Sequence, residues 1–297
     1  MKESYGEAPR FHKASLDLIG IVDGVIDEYK AAGYLLTIRQ LYYQLVARGH
    51  IENSVRSYDN IVALLTNARL AGLIDWDAIE DRTRGFLERN HWTSGSQILH
   101  AVASQYHEDL WDGQETRIFC VVEKEALAGV LERTCKEFDV PLLPARGYPS
   151  ATTLREFAKT RIMRACQRIV ILHLGDHDPS GMDMTRDLEE RLSLFSRHQI
   201  SIDFRRIALN MDQIEEQAPP PNPAKVTDSR YAEYRRQYGD ESWELDALSP
   251  QYLHDLVSQH VNEYIDHNVW DAKLEKIDGI KARLQKLADN FDNGESS

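Results

Sequence analysis

The sequence predicts an α/β protein: a helical N-terminal part, a mostly parallel sheet wrapped by helices, and a helical extension. Three observations predict it. Apolar residues recur at helical spacing to about residue 92. Short β-rich runs then alternate with amphipathic segments, and a proline-rich stretch sets off a last helical part. The divisions expected from this are 1–92, 115–210 and 211–297.

In the first part Leu18, Ile19, Val22, Val25, Ile26 and Tyr29 share one helical face, which ends at Ala32-Gly33. Thr37 reads as the N-cap of a helix through Ala47, closed by Gly49. A third helix from Ser57 to Leu70 lines up Ile61, Leu64, Leu65 and Ala68 and stops at Gly72. Three short helices before an irregular segment, Asp75 to Arg89, suit a helix-turn-helix or winged-helix module. A small helical bundle fits the pattern equally well.

The middle part reads as strands at Arg117–Val122, Val140–Ala145, Arg168–Leu174 and Ile200–Leu209. Helices are expected between them at Lys124–Phe138, Thr152–Gln167 and Ser180–Phe195. Alternation with short loops predicts a parallel sheet covered on both faces, with functional groups beyond the carboxyl ends of its strands. Ala218-Pro219-Pro220-Pro221-Asn222-Pro223 cannot be helix or central strand. Helical patterns return around Trp243–Ile265 and Lys273–Phe291, and 293–297 should fray.

The composition, 42% hydrophobic and 28% charged, is that of an ordinary globular chain. No apolar window reaches membrane-spanning length, and Met1 to Glu7 has no signal core. A cytoplasmic protein without a membrane partner is expected. Cys120, Cys135 and Cys166 form no CxxC pair and read as small apolar fillers. The net charge of −13 opposes a general grip on nucleic acid, which needs cations. The excess is uneven: residues 201–297 carry 11 basic and 19 acidic side chains, residues 1–100 carry 11 and 13. A nucleic-acid surface would therefore fall in the N-terminal third.

Two constellations could carry chemistry. Glu123 follows the first strand of the middle part; Asp176 and Asp178 follow the third. If those strands are neighbours, three carboxylates reach one rim, and hard oxygen donors of this kind suit Mg²⁺. The plainer reading is that the aspartates cap the next helix and Glu123 complements a helix dipole. His173 and His177, alternating with the aspartates, read as structural or solvent-facing. In Thr37–Leu45, Ile38, Leu41, Tyr42 and Leu45 form one apolar stripe. Tyr43 lies off that stripe, on the face of Arg39, and is expected to be exposed. Tyrosine beside arginine is either a phosphate-directed nucleophile or a surface ring packed on an arginine stem. No Walker-type phosphate loop and no Gly-x-Ser-x-Gly elbow is present.

Together these residues resemble the family of the topoisomerase VI A subunit and the meiotic double-strand-break proteins. Arg39-Gln40-Leu41-Tyr42-Tyr43 resembles its Arg-x-x-(aromatic)-Tyr motif, with the second tyrosine at the nucleophile's place. Val121-Val122-Glu123-Lys124-Glu125-Ala126 resembles its glutamate motif, and Gly175-Asp176-His177-Asp178-Pro179-Ser180-Gly181 its Asp-x-Asp-Pro-x-Gly. Arg146-Gly147-Tyr148-Pro149 resembles a Gly-x-Gly-Tyr-Pro-Asp segment, with Ala145 and Ser150 as departures. Trp243 to Leu248 resembles a Lys-x-Glu-x-x-Ala-Leu segment. The motifs keep the family's order over most of residues 35–250. The compact chain is most similar to the small stand-alone Mini-A proteins.

The resemblance implies a winged-helix domain joined to a Toprim domain, a Rossmann-like unit with a mostly parallel sheet. It implies Mg²⁺-dependent cleavage of duplex DNA, with Tyr43 forming a 5′-phosphotyrosyl bond and Arg39 steadying the phosphate. Glu123, Asp176 and Asp178 would hold the metal, and Lys124 and Arg146 would contact DNA. A homodimer, in which the tyrosine of one protomer serves the metal site of the other, and a separate ATPase subunit are the implied partners, beside the nucleoid. Two other readings stay open: a Toprim nuclease that uses water, and a DNA-binding protein that never cuts.

Overall fold

The computed structural model describes residues 2–5, 10–79 and 91–295. The first helix, α1 (Lys13–Ala31), buries Ile19, Val22, Val25, Ile26 and Tyr29, the face that the periodicity predicts. Next, α2 (Ile38–Ala47) starts where Thr37 predicts it. A reciprocal capping box fixes that start: Gln40 N donates to Thr37 Oγ1 at 3.3 Å and Thr37 N to Gln40 Oε1 at 2.8 Å. The third helix, α3 (Val55–Leu70), begins two residues early because Ser54 caps it. Of the expected irregular segment at 75–89, the part from residue 80 lies outside the described residues. A helix absent from the sequence reading follows, α4 (Gly95–Gln105), capped by Ser94.

The sheet is parallel throughout, in the order β2 (Leu142–Pro144), β1 (Thr116–Val122), β3 (Arg168–Leu174), β4 (Ile202–Ala208). All four strands sit where the β-rich runs predict them. β2 is shorter than expected, three residues with prolines at 141 and 144, and forms one margin of the sheet. Between strands lie α5 (Ala128–Glu137), α6 (Ala151–Thr160) and α7 (Pro179–Phe195). The helix expected to run to Gln167 stops at Thr160, and a 3-10 turn at Ile162–Arg164 follows.

Alternate residues of the central strands feed two cores. Ile118, Cys120, Val122, Val170, Leu172 and Leu174 point to one face, Phe119, Val121, Ile169 and Ile171 to the other. The second face is covered by α6 and α7. The first is covered by α5 and by α10 (Pro250–Asn262), and its apolar cluster continues through Leu41, Leu45 and Leu65 of the N-terminal helices. That continuity ties the position of α2 to the sheet.

After β4 come α8 (Met211–Gln217) and a small antiparallel ribbon, β5 (Asn222–Pro223) with β6 (Glu241–Ser242), around α9 (Tyr231–Tyr238). The proline stretch is thus extended, as its composition requires. Trp243 is not helical, contrary to the pattern reading. It exchanges backbone hydrogen bonds with His177 at 2.9 Å in both directions; a 3-10 turn at Leu245–Ala247 follows, and α-helix resumes at Pro250. The last helix, α11 (His267–Glu295), packs on α4. The tail expected to fray at 293–297 is helical to Glu295, and 296–297 lie outside the described residues. Cys120 and Cys135 are buried fillers, but Cys166 is exposed, past the end of the shortened α6.

Candidate active site

Because β1 and β3 are parallel neighbours in register, with Val122 opposite Leu174, their carboxyl ends deliver Glu123 and Asp176 to one rim. Glu123 N donates to Leu174 O at 2.9 Å, and Asp176 N donates to Glu123 Oε2 at 2.9 Å. Asp178 is the N-cap of α7: its Oδ1 accepts from Gly181 N at 2.6 Å and from Ser180 Oγ at 2.9 Å. Gly181 is required here, since a Cβ would lie 2.3 Å from Asp176 O and 3.1 Å from Glu123 Oε2. From β4, Arg206 ties the loop together, donating to the carbonyls of Gly175 (3.0 Å), Asp176 (2.6 Å), Gly181 (3.1 Å) and Leu209 (3.2 Å).

Asp176 is spent on the protein itself. Its Oδ1 accepts from Leu245 N at 2.7 Å, and its Oδ2 pairs with Lys124 Nζ at 2.9 Å. The same ammonium meets Asp246 Oδ1 at 3.1 Å and the Glu244 carboxylate. Burial works against the charge of Lys124, but Asp246, Asp176 and Glu244 outweigh it and hold its pKa above the ordinary lysine range. Burial pushes Asp176 well above the ordinary aspartate range against the pull of Lys124, and burial raises Glu123 too. The expected role of Lys124 in gripping DNA needs correction: its side chain is 17% exposed and committed to three carboxylates. Arg146 does stay at the surface, paired with Glu125.

Tyr43 also departs from expectation. It is 5% exposed and joins the buried cluster, because α2 is covered on this face as well. It packs edge-on against Tyr42, ring centroids 5.1 Å apart, and the Arg39 guanidinium lies 5.8 Å from its ring centroid. It lines a cavity of about 490 Å³ together with Arg39, Tyr58, Asp178 and Glu244, among others. Arg39 is held there by Glu244 Oε2 at 2.8 Å and Asp246 Oδ2 at 2.6 Å. Burial, with Glu244 and Asp246 close by, pushes the Tyr43 hydroxyl up to about 12, against Arg39 and Lys124. Tyr43 is therefore a protonated phenol at neutral pH.

The structure thus brings Tyr43 and Arg39 to one cavity with Asp178, and Glu123 to Asp176. It adds Glu244 and Asp246, which bind both cations and which the sequence reading left without a role. The acid–apolar–acid run Glu244-Leu245-Asp246 was the available signal. In donor chemistry the three expected carboxylates fit a hard divalent ion, since Glu123 Oε1 and Asp178 Oδ2 are not engaged in the hydrogen bonds described. Asp176 joins them only if Lys124 lets go. Among the described residues no group of three or more His, Cys, Asp or Glu is arranged to hold a metal ion.

His173 and His177 are 0% and 1% exposed, not solvent-facing. His173 Nδ1 meets Thr185 Oγ1 at 3.0 Å, and His177 Nδ1 meets Tyr234 OH at 2.8 Å. Burial, then Arg206, pulls His173 down to about 3 and His177 to about 4. Both are neutral when folded but bind protons below about 6.5 when unfolded, so they cost stability as pH falls from there towards their folded values. Between pH 7 and pH 5, His173→Gln should lose about 2 kcal/mol less unfolding free energy than wild type in urea titrations. An equal loss would show that His173 accepts its proton while folded.

No helix among the described residues is long and apolar enough to cross a membrane. No family model and no curated protein matches the chain.

Proposed function

We propose that this chain cleaves duplex DNA by transesterification, Tyr43 being the nucleophile. The observation that carries the reading is the shared cavity: Tyr43 and Arg39 open onto the same 490 Å³ space as Asp178 and Glu244. In this reading the N-terminal helices are a winged-helix module and the sheet is a Toprim unit. The Tyr43 oxygen forms a bond to a backbone phosphorus while the bond to the 3′-oxygen breaks. The phenol gives up its proton and the departing 3′-oxygen gains one. The phosphotyrosyl ester at the 5′ end keeps the energy of the broken bond, so the step can reverse. Arg39, fixed by two carboxylates, faces the phosphate and steadies the charge that develops on it. Glu123, Asp178 and a released Asp176 would hold Mg²⁺, which when bound neutralises charge on the phosphate oxygens.

Two protomers would cut both strands, beside the nucleoid of the cytoplasm, and a separate ATPase chain would supply any strand-passage cycle. Arg146 is the remaining candidate for DNA contact. The raised hydroxyl of Tyr43 favours a second reading, hydrolysis at the acidic rim by water, in which Tyr43 is a bystander.

Supercoiled plasmid incubated with Mg²⁺ and then denatured tests the choice. Wild type should leave protein on 5′ ends, and Tyr43→Phe should lower that yield about a thousandfold or more. Cutting by Tyr43→Phe at the wild-type rate, with free ends, would establish hydrolysis instead.

A further inference from the structure

We infer that the seam between α4 and α11 is a docking surface for an acidic amphipathic helix of another protein. It shares no residue with the Tyr43 cavity, and it stands whether or not this chain cuts DNA.

The last helix carries apolar residues in alternating steps of three and four, at Ile277, Ile280, Leu284, Leu287 and Phe291. That is the spacing of a helix paired along its length with other helices. The fold covers only the first part of the stripe: Ile277 is 1% exposed, whereas Leu287 is 64% and Phe291 43% exposed. α4 runs antiparallel to α11, since Gln285 meets His100, Lys276 meets Glu108 and Lys273 meets Asp112. One turn from the His100–Gln285 contact, Ser96, Ala103 and Ala288 are buried. Leu99 precedes His100 and Leu284 precedes Gln285 by one residue each. In an antiparallel pair, the same step along each helix turns both side chains to the same side of the seam. Val102 shares the face of Leu99, and Leu287 and Phe291 share that of Leu284. Leu99 and Val102 are exposed as well, so both helices contribute to one open apolar face.

Charge decides what covers it. Arg283 and Lys286 lie one turn and one residue before Leu287, on the edge of the stripe away from α4. Both are exposed, and neither pairs with an acid among the described residues. Asp289 lies on the other side, beside His100. A second copy is a poor occupant. Its α11 would bring the same cations to the seam, and its residues 91–107 contain no Asp or Glu to meet them. Two cations are too few to grip a nucleic-acid strand, which has no use for an apolar stripe. A helix with an apolar face flanked by glutamates or aspartates meets both features, the stripe by burial and the edge by ion pairing.

The probe is a fluorescein-labelled four-heptad peptide with leucine at its a and d positions and glutamate at e and g. Those glutamates keep it from pairing with itself. Its counterpart carries lysine in their place. In fluorescence anisotropy the acidic peptide should bind wild type, and the basic peptide should not. Arg283→Glu with Lys286→Glu should weaken the acidic peptide about tenfold or more and admit the basic one. Leu287→Asp should weaken the acidic peptide about tenfold or more, and Phe291→Gln supplies a second apolar variant. Urea midpoints equal to that of wild type show that each variant is folded. Equal binding of the two peptides, or none of the acidic one, overturns the inference. So does a dimer of the chain alone, seen by sedimentation, that Leu287→Asp dissociates, since a second copy then covers the seam. Flotation with vesicles of phosphatidylcholine and phosphatidylglycerol that Leu287→Asp abolishes also overturns it, in favour of a membrane surface.

Discussion

Lys124→Met should destabilise the protein by about 3–5 kcal/mol, the range seen when one member of a buried ion pair is removed. The substitution keeps the length and apolar stem of the side chain, so cavity formation adds little. What it removes is the ammonium shared by Asp176, Glu244 and Asp246. Asp246 keeps Arg39, but Asp176 loses the ammonium while keeping the amide of Leu245. Urea unfolding with and without millimolar Mg²⁺ measures the effect. Without the ion the midpoint should fall steeply. With it the variant should recover more than wild type gains, because Asp176 is free to accept a hard cation and binding at a hundredfold excess over Kd adds about 2.7 kcal/mol. A variant as stable as wild type in the absence of metal would show that the three carboxylates tolerate each other unaided.

Arg206→Met should cost about 3 kcal/mol or more and should act on the same loop from below. The guanidinium supplies hydrogen bonds to four carbonyls, at Gly175, Asp176, Gly181 and Leu209, and one to Thr185 Oγ1 at 2.9 Å. Each buried acceptor left without a donor costs about 1–3 kcal/mol, and partial rearrangement recovers some of it. The loss should be local as well as global. Hydrogen exchange at the amides of residues 175–181 should accelerate in the variant under conditions where β1 and β3 remain protected. Uniform acceleration across the sheet would mean that Arg206 supports the whole domain and not the Asp-x-Asp loop in particular.

The sheet and its two covered faces were legible because strand and helix periods alternate cleanly, and because Ile169 to Leu172 is too apolar for anything but a central strand. The start of α2 was legible from Thr37 alone. Other elements were not. The helix α4 lies between two parts of the chain and depends on α11, some 170 residues later, for a surface to pack on. The helix α9 has the low apolar content of an exposed segment; Tyr234 alone is buried in it, against His177. At the site, spacing placed Glu123, Asp176 and Asp178 at strand ends. It could not show that Lys124 turns inward, because that depends on Glu244 and Asp246, more than a hundred residues away. The helical wheel separated Tyr43 from its own core stripe but could not count the second surface that closes over it.

The margins of the sheet constrain how two copies can meet. At one margin, Pro144 of β2 lacks an amide hydrogen and Pro141 stands just before the strand. At the other, Asp203 and Arg205 of β4 carry charge pairs across the strand's rim. An incoming strand finds too few donors on one side and a charged fence on the other, so lateral growth into a continuous intermolecular sheet is blocked. Strand-to-strand pairing between copies is disfavoured at both margins, which keeps the chain from templating fibrils through its most apolar strands.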